Sequence, residues 1–237
     1  MKEERHMIKA VFLDIDNTLL SFSGYVKEAM RDGFAQFGLK PYTEDMFEVF
    51  EGINTGLWQQ LERGELSFEG LMAVRWQRIF AALDIDFDGP TFEQYFREKL
   101  FVSAVPMPHA KELLEYLHGR YVLCVASNGP LEQQRNRLRI ADMARYFSHV
   151  FVSGDLGVQK PEREFFVRCF DRLRAAELPE LQPEETIIIG DSLSSDMAGG
   201  LAFGMHTCLY HPGGVPDNCP AEIGHIVTDL SEIRQFL

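Results

Sequence analysis

A short apolar run around residues 10–13 is followed at once by two acidic residues. Ile8 and the run itself are apolar, and Lys9 is the only charge among them. A run this short is typical of a strand that is buried on both faces of a parallel sheet. Asp14 and Asp16 come next, and carboxylates are rarely buried without a partner. We therefore expect a ligand or a counter-charge at this strand end, and an ordinary acidic turn is the alternative.

Beyond Leu20 the spacing of apolar residues changes from that of a strand to that of helices. Over residues 22–103, apolar and aromatic side chains recur at intervals of three or four, which predicts amphipathic helices with an aromatic core. Ser67 stands where it could cap one of these helices, whereas Gly52 and Gly56 are expected to interrupt another.

From residue 104 onward, apolar strands alternate with helical segments, an order that is typical of a parallel α/β sheet. Strands are predicted at 121–126, 150–152, 186–189, 206–210 and 226–227. The first strand belongs to the same sheet, so the helical block is an insertion. The predicted architecture is an α/β fold in which residues 1–21 and 104–237 form a Rossmann-like parallel sheet core. Residues 22–103 form an inserted α-helical domain.

Charge narrows the function classes. The 237 residues carry 23 basic and 36 acidic side chains, a formal net charge of −13, and the sequence pI is near 5.0. Nucleic acid is therefore not an expected partner, because its binding depends on Lys and Arg side chains that neutralise phosphates. A small phosphorylated substrate stays compatible with this charge when a metal ion is present.

Cysteine spacing and hydropathy indicate the compartment. The four cysteines show neither C-x-x-C pairing nor zinc-finger spacing, which favours a reducing environment. No apolar stretch approaches the length needed to cross a bilayer, and residues 1–7 lack the apolar region of a signal peptide. We expect a cytoplasmic protein that does not contact a membrane.

Polar residues that could take part in binding or catalysis follow four of the predicted strands. After the two aspartates of the first strand, these residues are Ser127, Asn128, Lys160, Asp191 and Asp196. In an open parallel sheet, ligands bind outside the carboxyl ends of the strands. We therefore expect these side chains to form one site.

A divalent cation and a phosphoryl group fit this set of side chains. Asp14, Asp16 and Asp191 supply the oxygen ligands that Mg²⁺ prefers. Lys160 can neutralise carboxylate or phosphate as a compact charge, and Ser127 offers a hydroxyl donor. The two backbone amides after Ser127 precede a predicted helix and could bind an anion. An aspartate beside the cation could attack phosphorus and form an aspartyl-phosphate, while a second aspartate protonates the leaving oxygen.

Four segments of the chain resemble, in order, the four motifs of the haloacid dehalogenase superfamily. They are Asp14-Ile15-Asp16-Asn17-Thr18, Ser127-Asn128-Gly129, Lys160-Pro161 and Gly190-Asp191-Ser192-Leu193-Ser194-Ser195-Asp196. The resemblance implies that the inserted helices are a cap of the first type (C1), which closes over the substrate.

The resemblance also implies roles at the phosphoryl group. Asp14 would be the nucleophile, and Asp16 the general acid and base. Ser127 would donate a hydrogen bond to the phosphoryl oxygens, and Lys160 would steady Asp14 and the phosphate. The further residues expected at the phosphate are Thr18, Asn128 and Gly129.

A Mg²⁺ site is implied by the same motifs. Asp191 would complete it with Asp14 and the backbone carbonyl of Asp16, and Asp196 would support it directly or through water. Asp16 also distinguishes phosphatases from dehalogenases, because the dehalogenases of the superfamily lack an acid at that position. Its presence favours hydrolysis of phosphate esters, although transfer to a sugar, as in phosphomutases, stays open.

Further segments are similar to those of the YjjG-type pyrimidine nucleotidases. They are Asn54-Thr55-Gly56-Leu57-Trp58 with Glu62-Arg63-Gly64-Glu65, Gly154-Asp155-Leu156-Gly157-Val158-Gln159-Lys160-Pro161, and Gly190 to Gly200 followed by Thr207-Cys208. This similarity implies hydrolysis of nucleoside monophosphates. The alternatives are a phosphatase of small sugar phosphates or phosphoglycolate, and a non-catalytic phospho-aspartate switch.

Three residues of the insertion are candidates for contact with a nucleobase. Phe22 and Trp58 could stack on the base, and packing between cap and core is the alternative for Trp58. Asn54 could hydrogen-bond a base edge or cap a helix. The sequence leaves open whether the protein is a monomer or a homodimer.

Overall fold

Residues 7–237, which the computed structural model describes, divide into two units. One comprises the described residues up to Ser21 together with Ala104–Leu237, and the other comprises Phe22–Ser103. We refer to them as the sheet unit and the helical unit. Among the helices of residues 7–237, none combines the length and the apolar character that a bilayer-crossing segment needs.

The helical unit packs its helices around aromatic rings, as the apolar spacing predicts. In the described residues these helices are α1 (Phe22–Gln36), α2 (Glu44–Glu62), α3 (Phe68–Ala82) and α4 (Gly89–Val102). Trp76 is fully buried, and its ring centroid lies 4.3 Å from that of Phe92 and 5.2 Å from that of Phe96. Ser67 caps α3 as expected, since its hydroxyl accepts a hydrogen bond from the Gly70 amide at 3.0 Å.

Helix α2 runs without interruption through Gly52 and Gly56, so the expectation of a break at these glycines is wrong. A glycine weakens a helix by about 1 kcal/mol relative to alanine. The helix nevertheless forms because one of its faces buries Phe50, Leu57 and Leu61. Packing of such a face contributes more to helix stability in a protein than intrinsic propensity does.

A charged pair lies inside the helical unit. The Arg75 guanidinium donates two hydrogen bonds to the Glu93 carboxylate, at 3.0 and 2.6 Å, and a third to Asn54 Oδ1 at 3.2 Å. The side chains of Arg75 and Glu93 are only 3% and 7% exposed. Burial raises the pKa of Glu93, although the charge of Arg75 acts in the opposite direction. The two residues therefore depend on each other for charge neutralisation.

Replacing Arg75 with methionine is expected to destabilise the protein by about 3–5 kcal/mol, because Glu93 would stay buried without its partner. The free energy of unfolding in urea measures this effect. In the double variant Arg75→Met, Glu93→Met, apolar groups replace both charges, and most of the loss should be recovered. Arg78→Met, at an exposed position of α3, is the matched control and should change the free energy by less than about 0.5 kcal/mol. If the double variant recovers none of the lost free energy of unfolding, the loss in Arg75→Met does not come from an unpaired Glu93.

The sheet unit is built on parallel strands, which confirms the predicted α/β class. In the described residues the strands are β1 (Ala10–Leu13), β2 (Val122–Ser127), β3 (His149–Val152), β4 (Thr186–Gly190), β5 (His206–Tyr210) and β6 (His225–Val227). Their order is β3-β2-β1-β4-β5-β6. The chain leaves β1 on one side, through β2 and β3, and returns on the other side at β4. Ligands bind where the strand order reverses, so a site is expected at the end of β1.

Two apolar clusters, one on each face, cover the sheet. Within the described residues the α-helices of this unit are α5 (Ala110–Leu117), α6 (Leu131–Ile140), α7 (Ser153–Leu156), α8 (Arg163–Ala176) and α9 (Ala198–Phe203). Successive residues of a strand point to opposite faces. Accordingly, Val11 and Leu13 belong to a cluster with residues of α5, whereas Ala10 and Phe12 belong to a cluster with residues of α8. The strand is apolar throughout because both faces are buried.

Candidate active site

Three carboxylates from two strand ends meet at the carboxyl edge of the sheet. Asp14 follows β1, while Asp191 and Asp196 follow β4. One carboxylate oxygen from each residue lies within 4.8 Å of the other two. A hydrogen bond of 2.9 Å from the Asp14 amide to the Ile189 carbonyl joins the two strand ends. The structure thus brings together acidic residues that are far apart in the sequence.

A tight turn directly after β1 holds Asp16. Asn17 has a φ of 57°, in the left-handed region that asparagine tolerates better than most residues. The Leu19 amide donates to the Ile15 carbonyl at 2.9 Å and closes the turn. Thr18 is fully buried there, and its hydroxyl has no hydrogen-bond partner among the described residues. A buried polar group left unpaired costs about 1–3 kcal/mol, and catalytic sites are one place where it occurs.

Lys160 supplies positive charge to the cluster. Its side chain is 1% exposed, and Nζ donates to Asp14 Oδ1 at 2.8 Å and to Asp196 Oδ1 at 2.5 Å. The third donor goes to the Ala126 carbonyl at 2.5 Å. The contact between Lys160 and Asp14 that the motifs imply is therefore present. Because an ammonium group has three N–H donors, a direct bond to phosphate would require Lys160 to give up one of these acceptors.

The charges of the cluster do not balance within the protein, since three carboxylates face one ammonium group. Burial raises the pKa of Asp14 to about 7, because Lys160 offsets only part of the desolvation. Burial and the charge of Asp14 also raise the pKa of Asp191 well above its usual range. Burial disfavours the Lys160 ammonium, but Asp14 and Asp196 outweigh this effect and raise its pKa. Oxygen donors with excess negative charge suit a hard divalent cation such as Mg²⁺.

The loop after β4 positions Asp196 by close packing. A π-helical turn, Leu193–Met197, carries this residue, and such turns are frequent at functional sites. Its carboxylate accepts a hydrogen bond from the Ser192 amide at 3.2 Å. A Cβ at Gly190 would stand 2.1 Å from Asp196 Oδ2. Only glycine at position 190 therefore leaves room for the observed position of Asp196.

Two residues of α6 that the sequence does not single out bind the Asp16 carboxylate. Arg137 Nη1 donates to Asp16 Oδ1 at 2.7 Å, and Gln134 Nε2 donates to Asp16 Oδ2 at 3.0 Å. The same Gln134 nitrogen donates to Ser127 Oγ at 2.9 Å, and Gln134 Oε1 accepts from Arg137 at 2.9 Å. Both side chains are 1% exposed. The sequence signal is weak, because a helix as polar as α6 is typical of a solvated surface.

After β2, one of the two amides that are predicted to bind an anion is hydrogen-bonded within the protein. The Gly129 amide donates to Ser153 Oγ at 3.0 Å. To bind phosphate, this amide would have to exchange the serine hydroxyl for a phosphoryl oxygen, so its role at the phosphate stays a prediction. The side chain of Asn128 brackets Lys160, since Nδ2 donates to the Lys160 carbonyl and Oδ1 accepts from the Lys160 amide, both at 2.9 Å. Asn128 thus fixes the backbone that carries the ammonium group.

The candidate base-contacting residues lie in the helical unit and have partners within it. Phe22 begins α1, and its ring packs against Tyr25. The ring of Trp58 packs against Phe68. Asn54 lies inside α2, and its Oδ1 accepts a hydrogen bond from the Arg75 guanidinium. The alternative that Asn54 caps a helix is therefore wrong.

Comparisons with known proteins assign the family. A family model described as haloacid dehalogenase-like hydrolase matches residues 8–204. The haloacid dehalogenase-like (HAD) hydrolase YfnB of Bacillus subtilis is 32% identical over 97% of this chain and 95% of its own length. A crystal structure of YfnB bound to magnesium covers 97% of this chain and 98% of that chain, with 30% identity and a TM-score of 0.86.

Two pyrimidine 5′-nucleotidases are also similar to the chain over nearly its whole length. PynA of Streptococcus pneumoniae is 28% identical over 97% of this chain and 94% of its own length. YjjG of Escherichia coli is 24% identical over 96% of both. All four motif segments fall within the residues that the family model matches. The chain therefore belongs to the haloacid dehalogenase-like hydrolases, as its motifs predict, and within them it resembles the YjjG-type nucleotidases.

Proposed function

We propose that this hydrolase cleaves phosphoric monoesters by transferring the phosphoryl group first to Asp14 and then to water, with Mg²⁺ as its cofactor. The observation that carries the proposal is the setting of the Asp14 carboxylate. It is bonded to the Lys160 ammonium and lies within 4.8 Å of the carboxylates of Asp191 and Asp196. A carboxylate that is oriented and charge-neutralised in this way can serve as a nucleophile.

Mg²⁺ fits the oxygen donors at this edge of the sheet. Asp14 and Asp191 would hold it through carboxylate oxygens and Asp16 through its backbone carbonyl, with Asp196 in support. The excess of carboxylates and the raised pKa values of Asp14 and Asp191 support a cation here. When bound, the ion neutralises charge on the phosphoryl oxygens.

The side chains at the edge of the sheet account for two chemical steps. In the first, Asp14 attacks phosphorus, the bond to the leaving oxygen breaks, and Asp16 gives that oxygen a proton. In the second, water attacks the phosphorus of the aspartyl-phosphate, Asp16 takes a proton from the water, and Asp14 leaves as a carboxylate. Lys160 orients Asp14 through their hydrogen bond. Ser127 accepts a hydrogen bond from Gln134, so its hydroxyl proton can be donated to a phosphoryl oxygen.

The proposed substrate is a pyrimidine nucleoside 5′-monophosphate. Similarity to two pyrimidine 5′-nucleotidases over nearly the whole chain supports this choice. We further propose that the helical unit, residues 22–103, closes over the substrate as a cap. In that arrangement Phe22, Trp58 and Asn54 are the candidates for contact with the base.

Phosphate release from a panel of monophosphates tests the proposed function. Chelator-treated protein is supplied with pyrimidine nucleotides, purine nucleotides, a sugar phosphate or phosphoglycolate, with and without Mg²⁺. We expect the highest kcat/KM for pyrimidine nucleotides and no release without the ion. A higher kcat/KM for the sugar phosphate or phosphoglycolate would overturn the substrate class. No release from any compound, with Asp14 phosphorylated for many minutes, would favour a phospho-aspartate switch.

Gly190→Ala is expected to lower phosphatase kcat/KM by roughly 10²-fold. The substitution displaces Asp196, and Lys160, which is hydrogen-bonded to Asp196, would move with it. The added methyl group would collide with Asp196 Oδ2. Kinetics and thermal unfolding of the same preparation separate a rate effect from loss of folded protein. Gly52→Ala is the matched control, since apart from the adjoining stretch of α2 itself no described atom lies within 4 Å of a Cβ there, and a helix favours alanine over glycine. Wild-type kinetics in Gly190→Ala would show that the position of Asp196 is unimportant.

A further inference from the structure

Both oxygens of the Asp16 carboxylate accept hydrogen bonds from side chains of one helix, α6. Arg137 binds Oδ1 and Gln134 binds Oδ2, and the two side chains also bind each other. We propose that Gln134 and Arg137 are positioning residues that fix Asp16 for proton transfer to and from the phosphate ester. This inference rests on the proposed function, because it concerns the group that exchanges protons in it.

The burial of Arg137 distinguishes it from the other arginines of α6. Arg135 and Arg139 lie on the same helix and are exposed, whereas Arg137 is 1% exposed and contacts Asp16. Burying a guanidinium group is unfavourable unless it is paired and hydrogen-bonded. An apolar residue would fill the same space without that penalty. The inward position of Arg137 is therefore best explained by the carboxylate that it orients, which keeps a 31% exposed side chain at the site.

Gln134 connects the acid and base group to the phosphate-binding hydroxyl. An amide nitrogen has two N–H donors, and Gln134 uses them for Asp16 Oδ2 and Ser127 Oγ. Because Arg137 can only donate, its contact with Gln134 Oε1 fixes which end of the amide faces Asp16. Arg137 thus orients Asp16 directly and also through the amide.

The glycine of the Ser-Asn-Gly motif gives this amide room. A Cβ at Gly129 would lie 3.2 Å from Gln134 Nε2, which is tighter than most contacts of that kind. The space that glycine leaves is therefore occupied by the nitrogen that bridges Asp16 and Ser127. This contact gives Gly129 a steric role in addition to the anion-binding role that the sequence suggests.

Comparing kcat/KM for esters with different leaving groups shows whether Gln134 and Arg137 position Asp16 or only stabilise the fold. The parameter kcat/KM reports the steps up to departure of the leaving group. Phenolate is a more basic leaving group than p-nitrophenolate, so its departure depends far more on a proton from Asp16. With Mg²⁺ present, Gln134→Met and Arg137→Met are expected to lower kcat/KM for phenyl phosphate by roughly 10²-fold. The loss for p-nitrophenyl phosphate should be much smaller. In an Asp16→Asn background, neither substitution should lower kcat/KM for phenyl phosphate further, because residues that act as a unit are non-additive.

Two further variants sharpen the test. Arg137→Lys keeps the charge and should recover part of the loss on phenyl phosphate, while Arg139→Met, on the exposed side of α6, should match the wild type. If Arg137→Met does not fold, Gln134→Met carries the test, since it removes no charge. Equal losses on both esters, or a further loss in the Asp16→Asn background, would overturn the inference. A wild type that releases phosphate from neither aryl ester nor any compound of the monophosphate panel would refute the proposed function, and the inference with it.

Discussion

Asparagine in place of Asp14 is expected to lower kcat for phosphate release by a factor on the order of 10⁴ or more, the scale seen when a nucleophile is removed. The amide of asparagine has nearly the same size as the carboxylate but cannot form the acyl-phosphate. Its oxygen can still accept a hydrogen bond from Lys160. Because burial raises the pKa of Asp14, removing this charge should leave the free energy of unfolding unchanged or higher.

The measurement pairs steady-state phosphate release with urea unfolding of Asp14→Asn. Asp217→Asn is the matched control, because it makes the same chemical change at an exposed position in a loop of the sheet unit. The control should have wild-type kcat and wild-type stability. Substantial turnover by a folded Asp14→Asn protein would mean that another group, or water itself, attacks the phosphorus.

Methionine in place of Lys160 is expected to impair activity and stability together. Loss of the ammonium leaves Asp14 and Asp196 buried without their counter-charge, which should destabilise the protein by about 3–5 kcal/mol. The rate should fall by roughly 10²–10³-fold, as when one preorganised charge-stabilising donor is removed. Urea unfolding without metal and phosphate release with Mg²⁺ measure the two effects separately.

A second substitution distinguishes the two roles of Lys160. In Lys160→Met, Asp196→Asn one buried charge is gone, so part of the lost stability should return while kcat stays low. Mg²⁺ should raise the Tm of Lys160→Met more than that of the wild type, because the ion supplies the missing positive charge. Wild-type stability in Lys160→Met, with no response to Mg²⁺, would show that the carboxylates do not need this ammonium group.

The parts of the site that the sequence predicts follow from the rules of parallel sheets. Residues after consecutive parallel strands share one edge, so Asp14, Lys160 and Asp191 become neighbours whatever their separation in the chain. The strand before Asp14 can be predicted because helices cover both of its faces and make it uniformly apolar. No tertiary detail is needed for either inference.

The parts that the sequence does not predict depend on contacts between side chains of different elements. Gln134 and Arg137 point inward because the Asp16 carboxylate faces α6. The spacing of apolar residues along a helix does not predict such a contact. The need for glycine at position 190 arises from the π-helical turn that brings Asp196 against it. The continuity of α2 through Gly52 reflects burial of a face whose partners lie on other helices.

Chemical trapping of a phosphorylated Asp14 is the most direct test of the mechanism. The Asp16→Asn variant should form the aspartyl-phosphate from radiolabelled p-nitrophenyl phosphate but hydrolyse it slowly, so the label should accumulate. After acid quenching and trypsin digestion, we expect the label on the peptide Ala10–Lys27, where Asp14 is the only acidic side chain once Asp16 is replaced. Borohydride reduction should convert that residue to homoserine. Unlabelled protein in an Asp16→Asn sample that keeps a wild-type rate of phosphate release would contradict a covalent intermediate.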